Sequence, residues 1–222
     1  MNIFKAIQQR HSVRCYTDRK IEGDVAAKLW GYVDKCNEKS GLNMQLCLDE
    51  PDAFDSFKAH YGSFSNVRNY LAIVGTKGDD LEEKCGYWGE KVLLFATQLG
   101  LSSCWVVLTY SKKKCVCCIK EGEKLCCVIA LGYGETAGTA HKSKPIAMLA
   151  KANGQMPAWF EAGVQAAMLA PTAMNQQKFR FTLTTPTTVI AQAGKGFFTK
   201  IDLGIVKCHF EIGANSDFWK WG

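Results

Sequence analysis

The sequence predicts a mixed α and β fold with a layered core. Three observations lead to this prediction: several segments repeat apolar residues at helical spacing, others are short apolar runs, and the two kinds alternate along the chain. Residues 70–75 and 126–131 are runs of the second kind. Because these runs are continuously apolar rather than alternating, we expect strands that are covered on both faces.

The predicted helices follow from apolar spacing and from glycine. Residues 3–7 indicate a short amphipathic helix, and residues 23–37 repeat apolar side chains every three or four positions. Residues 84–99 predict a long helix that ends at Gly100, because glycine favours the left-handed conformation that follows a helix. A further helix is predicted over residues 158–169.

The composition excludes several classes of protein. Of 222 residues, 47% are hydrophobic and 22% are charged, so the chain is neither intrinsically disordered nor a collagen-like or coiled-coil repeat. The net charge of +6 is too small to indicate nucleic-acid binding, but it suits an anionic small ligand. No apolar run approaches the roughly 18 residues that indicate a membrane span, and residues 1–14 lack the apolar core of a secretory signal. We therefore expect a cytoplasmic protein that binds neither nucleic acid nor membrane.

The cysteines leave two interpretations open. Eleven is an odd number and several cysteines are adjacent, which argues against a disulfide scaffold and favours a reducing compartment. Residues 115–118 and 126–127 carry five cysteines at spacings that could hold zinc or an iron–sulfur cluster. Residues 126–129 fit an apolar strand in which cysteine is a small hydrophobe, and this interpretation is favoured because adjacent cysteines on a strand point to opposite faces. The four histidines form no pair one turn apart on a predicted helix, which disfavours a histidine metal site.

Two pairs of similar segments indicate an internal repeat. Residues 40–45 match residues 172–177 at an offset of 132, and residues 92–101 match residues 205–214 at an offset of 113. The second offset is smaller by 19 residues, so the later copy is expected to be the same unit with a shortened middle. The repeat predicts a tandem duplication.

The duplication divides the chain into two expected halves, residues 1–145 and residues 146–222. Each half is predicted to end a long helix with glycine, at Gly100 in the first and at Gly213 in the second. The matched segments would then occupy equivalent places in the two halves.

The segment after the first helix concentrates groups that suit a phosphate. Arg10, Ser12 and Arg14 place two guanidinium groups and one hydroxyl within five residues. Arginine offers a planar fork of donors and serine adds another, so this spacing can close around a phosphate monoester. The alternative is a solvated basic face.

Two further segments carry candidate ligand-binding groups. Lys142 and Lys144 follow a predicted strand and its glycine turn, where backbone N–H groups can come close to a ligand. The glycines match neither the Rossmann fingerprint nor a Walker A sequence. Residues 170–177 interrupt a helix at Pro171 and then present hydroxyl and amide groups, which can read the edge of a heterocycle. The alternative for this segment is an ordinary helix-ending turn.

Taken together and in this order, these motifs resemble the FMN-dependent nitroreductase family. The segments that carry the resemblance are Arg10-His11-Ser12-Val13-Arg14, Gly100-Leu101-Ser102-Ser103-Cys104-Trp105, Leu131-Gly132-Tyr133, His141-Lys142-Ser143-Lys144-Pro145 and Pro171-Thr172-Ala173-Met174-Asn175-Gln176-Gln177. In ordinary members the last of these motifs precedes the long helix, whereas here its best copy follows that helix. The chain therefore resembles the single-chain subgroup in which two tandem nitroreductase-like halves imitate the family homodimer.

The resemblance implies the fold and the cofactor. The expected fold is α+β and nitroreductase-like, with a layered mixed sheet and helices, and the expected cofactor is FMN. Ordinary members build each FMN site from the basic motifs of one subunit and from one loop of the other. In this chain that loop corresponds to residues 171–177, called the proline loop below. Because only the first half carries the basic motifs and only the second carries Pro171, the resemblance implies one FMN per chain. It also implies a monomer that acts as a pseudo-dimer, or a weak homo-oligomer.

The resemblance further implies the roles of individual residues. Basic and hydroxyl side chains would hold the FMN phosphate, backbone N–H groups and an amide would bind the flavin ring, and the proline loop would cover the ring from the opposite half. The residues expected to bind FMN are Arg10, His11, Ser12, Arg14, Gly132, Tyr133, Lys142, Lys144, Pro171, Thr172 and Asn175. No side chain is expected to act as acid, base or nucleophile, because the flavin carries the chemistry.

The implied activity is an NADH- or NADPH-dependent oxidoreductase. Hydride would pass through the flavin to a nitroaromatic, a quinone or a similar small acceptor. The alternative is a non-catalytic flavin-binding or sensor protein with the same fold.

Overall fold

The secondary structure alternates helices and strands along the chain. The computed structural model describes residues 1–55 and 57–222, without the side chains of Lys58 and His60. The helices in this part of the chain are α1 Ile3–Gln9, α2 Gly23–Ser40, α3 Phe57–Tyr61, α4 Leu81–Gln98, α5 Ile146–Leu149, α6 Ala158–Ala167 and α7 Thr199–Ala214. The strands are β1 Asn43–Cys47, β2 Asn69–Thr76, β3 Ser102–Val106, β4 Glu123–Gly132, β5 Ala150–Ala152, β6 Phe179–Thr185, β7 Thr188–Ala193 and β8 Lys220–Trp221.

The strands form two sheets of four, one on each side of residue 145. The first sheet has the order β1-β2-β4-β3, and all its neighbours are antiparallel. The second has the order β5-β6-β7-β8, in which only β6 and β7 are antiparallel. The central strands β2 and β4 are buried along most of their length, which confirms the predicted strands at residues 70–75 and 126–131.

Helices α4 and α7 pack against each other at the middle of the molecule. A Cβ atom placed on Gly86 would lie 2.0 Å from the carbonyl oxygen of Ile201, and one on Gly204 would lie 2.0 Å from the carbonyl oxygen of Glu83. The two helices therefore touch backbone to backbone, a separation that only glycine permits. One large apolar cluster then continues from one face of the first sheet through both helices to the second sheet.

Most predicted helix limits are confirmed within a few residues, with one correction. The left-handed conformation of Gly100, at φ +85°, follows the end of α4 as expected. The prediction that Gly213 ends a helix is wrong, because α7 continues to Ala214 and ends at the left-handed Asn215. Gly213 instead lies against α6, where an added Cβ would come within 2.6 Å of the Ala162 carbonyl oxygen.

The aromatic C-terminus packs within the second sheet and its helices. Trp219 stacks on Trp159 with ring centroids 5.7 Å apart, and Trp221 contacts Phe181 and Phe210. The indole N–H of Trp221 donates to Glu211 at 2.8 Å. Within residues 1–55 and 57–222, no helix combines the length and the apolar character needed to cross a bilayer.

Candidate functional site

A cleft of about 500 Å³ opens between the two parts of the chain. One wall comes from the segment after α1 and from the end of β3, and the other from the loop before β6 and the start of α7. Ser12 and Arg14 lie on the first wall, and Pro171 and Thr172 lie on the second. The lining is mostly apolar, with Trp105 among its aromatic members. The cleft therefore brings together two motifs that are about 160 residues apart in the sequence.

The segment after α1 is held as an extended edge along β3. The backbone N–H of Val13 donates to the carbonyl oxygen of Ser103 at 3.0 Å, and Ser12 pairs with Ser103 as an isolated parallel bridge. Farther along, the backbone N–H of Ser65 donates to the carbonyl oxygen of Arg14 at 3.0 Å. These bonds fix the backbone, while the Arg14 side chain stays exposed at the cleft.

Arg10 is buried beside the cleft rather than exposed in it. Its side chain is 3% exposed, and its Nε lies 3.9 Å from Oε1 of Glu90. Its Nε and Nη1 atoms have no hydrogen-bond partner among the residues that the structure describes. Burial lowers the pKa of the Arg10 guanidinium, and Glu90 and Cys104 counteract part of this shift. Arg10 therefore retains donors that an anionic ligand could satisfy.

Glu90 is the centre of a buried polar cluster that joins α4, α7 and β3. Its carboxylate accepts from the indole N–H of Trp105 at 2.8 Å and lies 2.7 Å from Nε2 of His209. The other ring nitrogen of His209 lies 3.2 Å from the carbonyl oxygen of Ala166. Burial alone would raise the pKa of Glu90, but the contacts with His209, Arg10 and Trp105 together hold it below its usual value.

His11 lies next to the basic segments but not on the cleft wall. Burial lowers the pKa of His11, and the charges of Arg10 and His141 lower it further. Gly138 runs close by, in the left-handed conformation at φ +73°, and a Cβ there would lie 2.8 Å from Cβ of His11. A side chain at position 138 would therefore displace His11.

Gly132 and Tyr133 lie away from the cleft lining. A Cβ on Gly132 would lie 2.7 Å from the ring of Tyr16. The ring of Tyr133 lies 3.9 Å from the guanidinium carbon of Arg19, and its carbonyl oxygen accepts from the backbone N–H of Thr17 at 2.8 Å. Neither residue is among the described residues that line the cleft.

The segment with Lys142 and Lys144 packs on the proline loop. Lys144 Nζ donates to the carbonyl oxygens of Gln176 and Gln177, at 2.7 and 3.3 Å. The side-chain amide of Asn175 donates to the carbonyl oxygen of Lys142 at 3.0 Å. The structure thus joins these two motifs to each other, and neither lysine is among the described residues that line the cleft.

The proline loop has a strained but well-bonded backbone. Met174, Asn175 and Gln177 have φ values of 53°, 52° and 45°, in the left-handed region that most residues avoid. The hydroxyl of Thr172 accepts from the backbone N–H of Gln177 at 3.0 Å. Met174 is 98% exposed at the cleft. This geometry holds Pro171 and Thr172 on the cleft wall.

Asp202 and Cys104 also line the cleft, and the sequence did not predict Asp202 as a site residue. Asp202 lies in the first turn of α7 and is 2% exposed. Burial raises its pKa to about 6, although hydrogen bonds from Ala173 and Gln176 oppose the shift. Burial likewise raises the pKa of the Cys104 thiol. The sequence feature that could have indicated Asp202 as a site residue is its position as the only acid in the largely apolar residues 201–206.

The described residues contain no group of three or more side chains placed to hold a metal ion. Cys115 and Cys117 are 3.9 Å apart at their sulfur atoms, and Cys126 and Cys127 are buried in β4. The side chain of His60 lies outside the described residues. The strand cysteines thus lie where the apolar-strand interpretation expects them.

The cleft fits FMN at the level of donors and walls. Ser12 and Arg14 line the cleft, and Arg10, which is not among the described lining residues, carries buried guanidinium atoms without partners. The apolar lining suits a flat aromatic ring, and the opening between two walls can cover such a ring on both faces. A hydroxyl, a guanidinium and apolar walls of this kind are compatible with a phosphate-bearing flavin.

The comparisons with known proteins identify the family. The family model described as "Putative TM nitroreductase" matches residues 2–214. The chain belongs to the nitroreductase family. This membership supports an oxidoreductase that acts on a small molecule. No curated protein matches the sequence significantly.

Solved nitroreductase-family structures share the fold. A "putative nitroreductase" from Thermotoga maritima has a TM-score of 0.67 and 23% identity, over 96% of this chain and 83% of its own. An "FMN-dependent nitroreductase" from Clostridium difficile has a TM-score of 0.51 and 18% identity, over 63% of this chain and 91% of its own. A "putative NADH dehydrogenase/NAD(P)H nitroreductase" from Parabacteroides distasonis has a TM-score of 0.52 and 20% identity, over 67% of this chain and 97% of its own. At these identities the similarity shows the nitroreductase-like α+β fold.

Proposed function

We propose that the protein is an FMN-dependent oxidoreductase that takes hydride from NADH or NADPH and reduces a nitroaromatic, a quinone or a similar small acceptor. The observation that carries the proposal is the cleft, where Ser12 and Arg14 face Pro171 and Thr172 across an apolar space of about 500 Å³. Bound FMN would supply the hydride chemistry. The protein would bind the flavin, orient it and exclude water from the ring.

The proposal assigns the phosphate and the ring to different residues. Ser12 and Arg14 would bind the phosphate from the cleft wall. Arg10, which is buried beside that wall, would donate to the phosphate with its unpartnered guanidinium N–H groups. Pro171 and Thr172 would cover the ring. His11 would contribute to FMN binding from its position beside Arg10.

Other members of the expected set would act indirectly. Asn175, Lys142 and Lys144 hold the proline loop through the hydrogen bonds described above. Gly132 and Tyr133 would shape the strand exit beside the Arg10–Arg14 segment, to which Tyr16 and Thr17 connect them.

We further propose that residues 1–145 and 146–222 are tandem halves that imitate a dimer with one FMN site. The order helix, strand, strand, helix occurs as α6-β6-β7-α7 and, with the short helix α3 inserted between the two strands, as α2-β1-β2-α4. Residues 48–68, which number 21, connect β1 to β2, whereas only two residues connect β6 to β7. This difference of 19 equals the difference between the two sequence offsets. It supports a duplication with a shortened middle.

Coverage of the similar structures agrees with this proposal. The Clostridium difficile and Parabacteroides distasonis structures are covered over 91% and 97% of their own chains by about two thirds of this one. The match with the Thermotoga maritima structure covers 96% of this chain, so it extends over both proposed halves.

The activity is tested by steady-state kinetics of the FMN-loaded protein. NADH and NADPH oxidation should accelerate when a quinone or nitroaromatic acceptor is added, and the visible spectrum should bleach when either reductant is added without oxygen. A protein that binds FMN but leaves the spectrum unchanged with both reductants would instead be the non-catalytic flavin-binding protein.

A further inference from the structure

Asp202 is a buried carboxylate on the cleft wall to which no role has been assigned. It lies in the first turn of α7 between Ile201 and Leu203, both of which are buried. Its own side chain is 2% exposed, yet it lines the cleft. Burial of a carboxylate costs solvation free energy, and hydrogen bonds must offset this cost.

Both oxygens of Asp202 bind the proline loop. Oδ1 accepts from the backbone N–H of Ala173 at 2.9 Å, and Oδ2 accepts from the side-chain amide of Gln176 at 2.7 Å. The same amide nitrogen of Gln176 donates to the carbonyl oxygen of Phe197 at 2.9 Å. One carboxylate therefore ties the loop to the start of α7 at two points.

The ionised form of Asp202 matches these partners better than the protonated form. Both partners are donors, and a proton on Oδ2 would turn that oxygen into a hydroxyl, which is a weaker acceptor for the Gln176 amide. Gln176 cannot turn its amide to present the oxygen instead without losing the bond to Phe197. Protonation should therefore loosen the loop at Gln176.

Burial is the cause of the raised pKa of Asp202, which lies at about 6. No charged neighbour contributes to this shift. The titratable or charged groups on the surrounding elements are Arg14 and Cys104 across the cleft, Glu83 on α4, Lys178 and Lys195 beside the Gly194–Gly196 turn, and Lys200 on α7 itself. Glu83 is paired with Lys207 at 2.6 Å.

We propose that Asp202 is a positioning residue, whose carboxylate holds the Pro171–Gln177 loop in the conformation that binds FMN. The inference rests on the proposed function, because it concerns the same cleft. It goes beyond that function by making FMN affinity depend on one buried proton. Asp202 does not itself exchange a proton with the acceptor in this account.

The test is FMN affinity against pH, measured on the apoprotein by quenching of flavin fluorescence. The variants are Asp202→Asn, Gln176→Ala and, as a control, Asp217→Asn at an exposed position in the C-terminal segment. Titration of the FMN phosphate near pH 6 affects every variant alike, and as the pH drops through about 6 wild-type affinity should fall about tenfold more than that of Asp202→Asn, the loss expected for about one hydrogen bond. Asp202→Asn should bind FMN about tenfold more weakly than the wild type above about pH 6 and about equally well below it, and Asp217→Asn should follow the wild type.

A second readout separates positioning from a merely structural role. The thermal midpoint of apo Asp202→Asn at neutral pH should stay close to that of the wild type, because loss of the buried charge offsets the lost hydrogen bond, although its FMN affinity falls. Gln176→Ala removes the same bond from the loop side, so it should reproduce the loss of affinity and of pH dependence if Asp202→Asn fails to fold.

Two results would overturn this inference alone: a ratio of wild-type to Asp202→Asn affinity for FMN that does not change across about pH 6, or an Asp202→Asn variant that binds FMN as the wild type does above that pH. Failure of the wild-type protein to bind FMN at any pH would instead overturn the proposed function and this inference with it.

Discussion

At the scale of single residues, Arg14 is the guanidinium group that reaches the cleft. It is exposed there, whereas Arg10 is buried against Glu90. Arg14→Ala should weaken FMN binding about tenfold to a hundredfold, since a hydrogen bond to a charged group contributes about 1.5–3 kcal/mol. Isothermal titration of the apoprotein with FMN measures the change. Arg19→Ala is the matched control, because Arg19 contacts Tyr133 away from the cleft. Equal losses in both variants would refute the assignment of Arg14.

Glu90 contributes stability rather than ligand contacts. Glu90→Gln should lower the free energy of unfolding by about 3 kcal/mol at neutral pH, because it leaves Arg10 and His209 buried without their carboxylate. Contacts hold the pKa of Glu90 in the folded state below its usual value. The contribution of Glu90 to the free energy of unfolding is therefore complete at pH values above that usual pKa, and it is lost as the pH falls through the folded-state pKa. The difference in the free energy of unfolding between Glu90→Gln and the wild type should therefore become smaller at acidic pH.

Urea unfolding at neutral and at acidic pH measures this effect. Glu82→Gln is the control, because Glu82 forms an exposed pair with Lys124 at 3.7 Å, and such pairs contribute at most about 1 kcal/mol. If Glu90→Gln lowered the free energy of unfolding by no more than Glu82→Gln does, the role of the buried cluster would be contradicted.

Single residues also mark the limit of the sequence-based prediction. The motif spacing pointed to Ser12, Arg14, Pro171 and Thr172, which the structure brings to one cleft. It could not separate Arg10 from Arg14, because the burial of Arg10 depends on Glu90, about 80 residues away in the sequence. Long-range contacts of this kind leave no local pattern.

At the scale of elements, the contact between α4 and α7 depends on glycine. Gly204→Ala should destabilise the protein by about 3 kcal/mol, because its Cβ would overlap the backbone of Glu83, which cannot move aside as a side chain could. Gly31→Ala is the matched helical control. No atom lies within 4 Å of a Cβ there, so it should stabilise the protein by about 0.5–1 kcal/mol.

Urea midpoints of the two variants provide the comparison. Opposite signs are expected, with Gly204→Ala below the wild type and Gly31→Ala above it. Destabilisation by Gly31→Ala and none by Gly204→Ala would mean that the helices are not in backbone contact.

Helices and strands were predictable where their own residues determine them. Amphipathic spacing and Gly100 defined α2 and α4 to within about three residues, and continuous apolar runs defined β2 and β4. Gly213 misled the prediction because its small size serves packing against α6 rather than a turn. The pairing of strands into two separate sheets was not predicted, since it depends on partners far apart in the chain.

At the scale of the whole molecule, the two sheets and the paired helices produce one cleft with a different motif on each wall. The wall from residues 1–145 carries the basic segment, and the wall from residues 146–222 carries the proline loop. An ordinary family dimer repeats such a site by symmetry. Here the two parts differ in sequence, so we expect a single FMN site in each chain.

The most direct test of this account is the ratio of FMN to chain. The purified protein would be saturated with FMN, freed of excess ligand and heated, and the released flavin would be compared with the protein concentration from amino-acid analysis. The account predicts one FMN per chain. A ratio of two, or no retained FMN after saturation, would contradict it.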